Sequence, residues 1–362
     1  MPLAHRRLRS IAIGTALGLV LGVAASSIQP AGASTHAKDQ ASTLKLGYFD
    51  NVTHAPALVA FENGSLKKTL GPKVSLETLI FSAGPAAVTA LLSGSIDATY
   101  IGPNPTVTAF LQSNGAVQVI SGVASGGAFL VVKPSIKSAK DLKGKTLATP
   151  QLGNTQDVAL RSYLKKKGLQ TDVTSGGDVS IRPQENAITL QAFQQGDIDG
   201  AWVPEPWATR LVKEGGGKIL VDERDLWSAG KYVTTDLLVR KDYLKENPGI
   251  VRKLLQANVD AIDLITKQPA QATQLVGTRI KSDTGKELAA DLITASFKNI
   301  VFTPDPVASS LVASAKAAAS LGLPGATALT KGDVRRLYSL TLLNKVLKAK
   351  QQATVSASAS ST

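Results

Sequence analysis

The chain has 362 residues, with 40 Lys+Arg against 27 Asp+Glu for a formal charge of +13, 43% hydrophobic residues and no cysteine. That length and apolar share fit two cored lobes and exclude a disordered chain. The missing cysteine excludes a disulfide framework, thiol chemistry and a lipid-modified cysteine, and three histidines leave too few ligands for a histidine metal site.

In chain order, Arg6, Arg7 and Arg9 precede an apolar run over 11–25 and an Ala31-Gly32-Ala33 end. This is the pattern of a secretory signal over 1–33, with an apolar run too short to span a membrane. A flexible polar leader is expected over 34–43. Leu44-Lys45-Leu46-Gly47-Tyr48 reads as a first strand, after which short β-like runs alternate with helical ones, as in layered α/β proteins. Residues 81–85 and 152–157 each lead into a helix, with apolar residues on one face (Val88, Leu91, Leu92; Leu160, Tyr163, Leu164). Their small and capping residues leave backbone N–H groups open to an anion.

A Gly/Ser-rich break at 122–127 precedes the apolar run 128–132, and the run 231–239 has similar flanks. These two runs are the expected crossings between lobes. They assign 44–131 and 231–348 to lobe 1 and 132–230 to lobe 2. Asn247-Pro248 and Asp305-Pro306 announce two late helices, the second stopping at Gly322, and the Ser/Ala tail over 349–362 is expected to be disordered. The lysines, as at 165–167, lack interleaved aromatics. They read as solvated surface and not as a nucleic-acid face, while their field favours an anionic ligand.

A repeat with a spacing of 102 residues is the most informative feature. The run 88–101 matches 190–203, with Gly94 on Gly196, Ile96 on Ile198, Asp97 on Asp199 and Tyr100 on Trp202. Each copy reads as helix, glycine stop and short strand ending in a turn, Pro103-Asn104-Pro105 or Pro204-Glu205-Pro206. Ligands of open α/β sheets sit beyond the carboxyl ends of the strands. Two such edges facing each other make a cleft.

These stretches resemble the substrate-binding proteins of ABC importers for nitrate, taurine and alkanesulfonates. The resemblance is carried by Thr53-His54-Ala55-Pro56, Ser82-Ala83-Gly84-Pro85, the 93–98 turn, the 141–145 run, the 153–161 run and Glu205-Pro206-Trp207. It extends from about Leu44 to Lys348. It implies an α/β, two-lobed type II periplasmic-binding fold, each lobe a mixed sheet flanked by helices, with the ligand cleft between them. Carried onto this sequence, it points to Tyr48, His54, Ser82, Gly84, Asn104, Asn154, Thr155, Glu205, Trp207 and Thr235 as ligand-binding residues. It also implies an exported, periplasmic or cell-surface monomer, without cofactor or metal, that takes a small organic anion to a membrane permease. An alkanesulfonate is the first choice, with nitrate, taurine or a sulfate ester open.

The donor set suits that reading: Ser82, Asn154, Thr155, Thr235 and open backbone amides are uncharged donors for an oxyanion. Arg182 is either a fork for the anion or an ordinary surface residue. Tyr48, Phe49, Trp202 and Trp207 are candidates for an apolar wall. Glu205 would repel an anion unless it holds an amine, pairs with a base or points away. Enzymes of similar fold that make pyrimidine precursors or tetrapyrroles rely on cysteines, and no Gly-x-Ser-x-Gly elbow is present. The alternatives are a ligand-sensing module for a membrane receptor, which would use the same cleft, and an enzyme of the thiamine-precursor type.

Overall fold

The structure is a computed structural model that describes residues 42–357. The expected export signal and nearly all of the leader lie outside the described residues, as do 358–362. Eleven strands are described: β1 Ser42–Tyr48, β2 Val74–Ile80, β3 Ala98–Ile101, β4 Val117–Gly126, β5 Ala128–Val132, β6 Thr146–Thr149, β7 Ser180–Pro183, β8 Gly200–Pro204, β9 Lys218–Asp222, β10 Val233–Arg240 and β11 Ile300–Phe302. They form two mixed sheets, in the orders β11-β4-β10-β3-β1-β2 and β7-β6-β8-β5-β9.

Helices on both faces explain why the central strands are buried on both sides. All four residues of β3 and all five of β5 are buried, whereas the edge strand β2 alternates. The core of the larger sheet gathers Leu44, Leu46, Leu58, Val251 and Leu254. The smaller sheet has a cluster on each face, because successive residues of β8 point oppositely: Trp202 joins Leu147 and Leu160, while Ala201 and Val203 join Phe129 and Phe193.

The repeat is a repeated fastening. Asp97 accepts a hydrogen bond from Lys45 N (2.9 Å) and donates its own N–H to Lys45 O. Asp199 accepts from Thr146 N (3.0 Å) and donates to Thr146 O. Each aspartate thus pins the strand beside its own, in the middle of β1 and at the start of β6. Gly94 and Gly196 sit at φ +77° and +84°, a left-handed turn that glycine enters without strain.

Three expectations need correction. β5 belongs wholly to the smaller sheet, so the first crossing falls at Gly126-Gly127, not at 131. Both glycines have positive φ, which lets the chain leave one sheet and enter the other within two residues. The second crossing runs alongside: Gly126 N donates to Tyr232 O, and Thr234 Oγ1 donates to Gly126 O at 2.6 Å. The leader is shorter than expected, since β1 begins at Ser42 to pair with Val74. The tail is docked through 357: Val355 exchanges two hydrogen bonds with the Asn344 side chain, and Lys350 reaches Asp260 and Asp263.

Candidate functional site

Between the two sheets lies a small, partly open cavity of about 20 Å³, beside a groove of about 470 Å³. Every side chain lining the cavity is uncharged: Phe49, Asn51, Thr53, His54, Ser82, Ala83, Pro150, Asn154, Thr155, Gln156, Asn186, Pro204 and Thr234, with Gly102 completing the wall. His54 is 3% exposed and stacks on Phe49 at 4.6 Å; burial pushes its pKa down to about 3, so the ring is neutral across the physiological range.

The backbone supplies the field. Five helices begin at the cavity wall: Ala55–Glu62 behind His54, Gly84–Leu92 behind Ala83, Pro103–Gln112 behind Gly102, Thr155–Lys166 behind Asn154, and Asn186–Gln195 with Asn186 as its first residue. None of the five has a side-chain cap. Their dipoles, and those first-turn N–H groups that remain beside Pro56, Pro85, Pro103 and Pro105, which have none, therefore face one uncharged space. The sole acid in those first turns is Asp157, which is engaged by Thr149 Oγ1 (3.0 Å), Gly153 N (2.9 Å) and the buried Arg161 (3.0 Å). That ion pair, with Gly153 at φ +72°, holds the loop so that Asn154 and Thr155 face inward. Thr155 Oγ1 and His54 Nδ1 are buried there without a hydrogen-bond partner among the described residues. Uncapped amides, hydroxyls and carboxamides around a small cavity are the donor set for an oxyanion.

The wall has the internal two-fold character of the sequence repeat. Thr53 and Thr155, His54 and Gln156, and Gly102 and Pro204 are each 102 residues apart, and all line the cavity. Gly84 and Asn186 share that spacing and open equivalent helices.

Of the sequence-predicted residues, His54, Ser82, Asn154 and Thr155 line the cavity and Trp207 lines the groove. Gly84 adjoins them: a Cβ there would meet Pro105 at 2.1 Å and Asn154 Oδ1 at 3.2 Å, so only glycine lets the wall close. Four are elsewhere. Tyr48 is fully buried under Phe61, its hydroxyl bound to Asp283 (2.8 Å) and Arg279. Asn104 is turned inward to Ser314, which donates to its Oδ1 at 2.7 Å. Thr235 gives way to Thr234, because facing alternates along β10 and its pairing with β4 is irregular there. Glu205 points away from the cavity. It accepts hydrogen bonds from Thr209 N and Oγ1 in its own lobe, and from Asn299 Nδ2 (2.7 Å) and Ser296 Oγ (3.2 Å) in the other.

Arg182 is exposed, and Trp202 is in the core, bound to Glu223. Asn51, Asn186, Gly102 and Thr234 were missed. Asn186 was recoverable by adding the repeat spacing to Gly84; Asn51 had no signal beyond its place after the first strand. It accepts from Trp207 Nε1 at 2.9 Å, one of several hydrogen bonds across the cleft. Lys213–Asp291 (2.6 Å) and Lys165 Nζ to Ser320 O (2.7 Å) are others.

The model of the NMT1-like family matches residues 37–278. The taurine-binding periplasmic protein of Escherichia coli is 30% identical over 228 residues, covering 61% of this chain and 68% of that protein. Four Brucella relatives, 27% identical, are matched over 62% of their length. Among solved structures, the alkanesulfonate-binding protein of Xanthomonas axonopodis pv. citri bound to MOPS is similar with a TM-score of 0.65 at 21% identity, covering 78% of this chain and 94% of that one. The periplasmic nitrate-binding protein of a Synechocystis strain is similar with a TM-score of 0.71 at 17% identity, covering 86% and 89%. At such identities the structural likeness establishes the two-lobed periplasmic-binding fold. Among the described residues, no helix is long and apolar enough to cross a membrane.

Proposed function

Because the chain belongs to the NMT1-like family, we propose that it is the solute-binding subunit of an ABC importer, exported as a monomer to the periplasm or cell surface, that captures a small organic anion and presents it to a membrane permease. The observation that carries this reading is the convergence of five uncapped helix N-termini on an uncharged cavity between two lobes. A negative head placed there meets donors without meeting a carboxylate, and each favourable N-terminus contributes about 0.3–1 kcal/mol, more where water is excluded.

The apolar side of the adjoining groove, with Phe49, Phe81, Leu190 and Trp207, favours a ligand with a carbon tail over nitrate. An alkanesulfonate is the first choice, and the names of the relatives agree with that chemistry. The wall contains one imidazole, held neutral, and no carboxylate, which supports capture over catalysis.

The test is a thermal-shift panel of alkanesulfonates, taurine, a sulfate ester and nitrate, followed by calorimetry. A cognate ligand at a hundred times its Kd adds about 2.7 kcal/mol of stability, a shift of several degrees. Absence of a shift with every anion, on protein that melts cooperatively, would overturn the reading.

A further inference from the structure

Glu223 is a carboxyl group that the anion cavity leaves unused. It follows β9, is 2% exposed, and receives the indole N–H groups of Trp202 (to Oε2, 2.7 Å) and Trp227 (to Oε1, 3.3 Å). Among the described residues it makes no ion pair, and the charge that acts on it, that of Asp222, has its own sign. Trp227 belongs to the stretch 223–231, whose short turns close on themselves: Trp227 N bonds Arg224 O (3.1 Å) and Gly230 N bonds Trp227 O (3.0 Å). The indole of Trp227 stacks on Tyr232, with ring centroids 5.6 Å apart and an interplanar angle of 14°. Tyr232 sits on the second crossing and ties it to the first. Its hydroxyl accepts from Ala128 N (3.2 Å), its carbonyl from Gly126 N (3.3 Å), and its own N–H donates to Ser125 Oγ (3.3 Å). Glu223, Trp227 and Tyr232 thus connect a buried carboxyl group to the place where the lobes are joined.

We propose that Glu223 is a proton-operated clasp on the crossings between the lobes: while it holds a proton, the stretch 223–231 stays packed against Trp202 and Tyr232, and its ionisation loosens that stretch and eases opening. A carboxylate in that position is a buried charge with no cation opposite it. Two indole donors, one of them at long range, offset only part of its lost hydration. Lifting Trp227 and Glu223 into water restores the rest. The neutral acid carries no such penalty, so packing is strongest with the proton on. The link to opening rests on the reading of the chain as a protein that captures solute by closing its lobes.

The direction follows from linkage. Burial, with Asp222 adding to it and the two indoles opposing, pushes Glu223 up to about 7, against an ordinary value of 4.5. Between those values the packed form holds the proton and the lifted form has released it. Packing therefore weakens as the pH rises from 4.5 to 7 and changes little above. The groups around the site are Tyr232, Tyr163 beside Trp202 with Lys167 over its ring, and Arg224, which is bound to Asp222 and faces Asp225. Burial raises both tyrosines and Asp222 raises Arg224, so these three keep their charge states between pH 5 and pH 7.5.

The experiment is hydrogen exchange of the stretch 223–231 at pH 5 and pH 7.5, divided by the intrinsic exchange rate at each pH, on the intact protein and on Glu223→Gln. The expected result is opening about tenfold or more greater at pH 7.5 in the intact protein, and no change in Glu223→Gln. Calorimetry with ethanesulfonate carries the test to the crossings: binding should weaken severalfold between the two pH values, and by less in Glu223→Gln. Asp50 at the groove, which burial also pushes up to about 7, is present in both proteins, so the difference between them belongs to Glu223. Equal opening at both pH values in the intact protein would overturn the proposal without recourse to a variant. A pH dependence kept by a folded Glu223→Gln would overturn the assignment to Glu223. The same affinity change in both proteins would overturn the link to opening. Failure of every anion to bind would remove the solute-capture reading, while the exchange result would still decide the clasp.

Discussion

Thr155 is where stability and binding part company most clearly. Its hydroxyl is buried without a partner among the described residues, which costs the ligand-free protein about 1–3 kcal/mol of unmet desolvation. Thr155→Val keeps the shape and removes the unmet group. It should leave the ligand-free melting temperature unchanged or higher, while weakening anion affinity roughly tenfold or more; calorimetry of both kinds checks it. His54 makes a pH prediction. Its folded pKa of about 3 lies below the usual 6.5, so between those values the unfolded chain binds the extra proton. Stability should fall as the pH drops from 6.5 toward 3, and His54→Gln, which copies the Gln156 of the other lobe, should flatten that limb in urea titrations. Residues of this kind were legible in the sequence when they sat at a strand end or helix start. Tyr48 and Asn104 were misread for one shared reason. A strand end and a Pro-x-Pro turn place the backbone at the cleft, but the side chain can turn inward, to Asp283 or to Ser314.

Glu205 shows what sequence cannot disclose at the scale of elements. A carboxylate in a suspected anion site invites roles as amine holder or base partner. The structure instead makes it a fastening between lobes: it caps the helix Trp207–Lys213 through Thr209 and draws Ser296 and Asn299 toward it. Those partners are more than ninety residues away in the chain, so no local pattern pointed to them. Burial raises its pKa and the four hydrogen bonds oppose that rise. Glu205→Ala leaves buried donors without an acceptor and should cost about 3 kcal/mol in chemical denaturation, with Glu205→Gln recovering part of it. The repeat, by contrast, was fully legible as two helix–strand units. Its aspartates have a structural task that the spacing alone did not reveal, pinning Lys45 and Thr146. β5 was misplaced because an apolar run beside a glycine pair does not say which sheet it will join. The docking of Val355 was invisible because its partner is the side chain of a single Asn344.

For the whole molecule, two crossings packed side by side at Gly126 and Tyr232 join sheets that otherwise meet across the cavity. The helix Ala308–Ser320 touches both: Ser314 binds Asn104 of the larger-sheet lobe, and Ala318 packs with Val158 of the other. Bonds such as Trp207 to Asn51 and Lys213 to Asp291 are the ones that opening would break. A ligand that bridges both lobes shifts the balance toward the compact form by its differential contacts. Small-angle scattering should show a smaller radius of gyration with ligand than without, by more in Trp207→Ala, where the free protein is less held. The central claim is a position: an anion among the five helix starts. Crystals grown with 2-bromoethanesulfonate test it most directly, because the bromine marks the tail by anomalous scattering. The expected result is one bromine in the groove between Phe49 and Trp207, with the sulfonate within hydrogen-bond distance of Thr155 and the amides beside Gly84. A fully occupied ligand bound away from that cavity would contradict it.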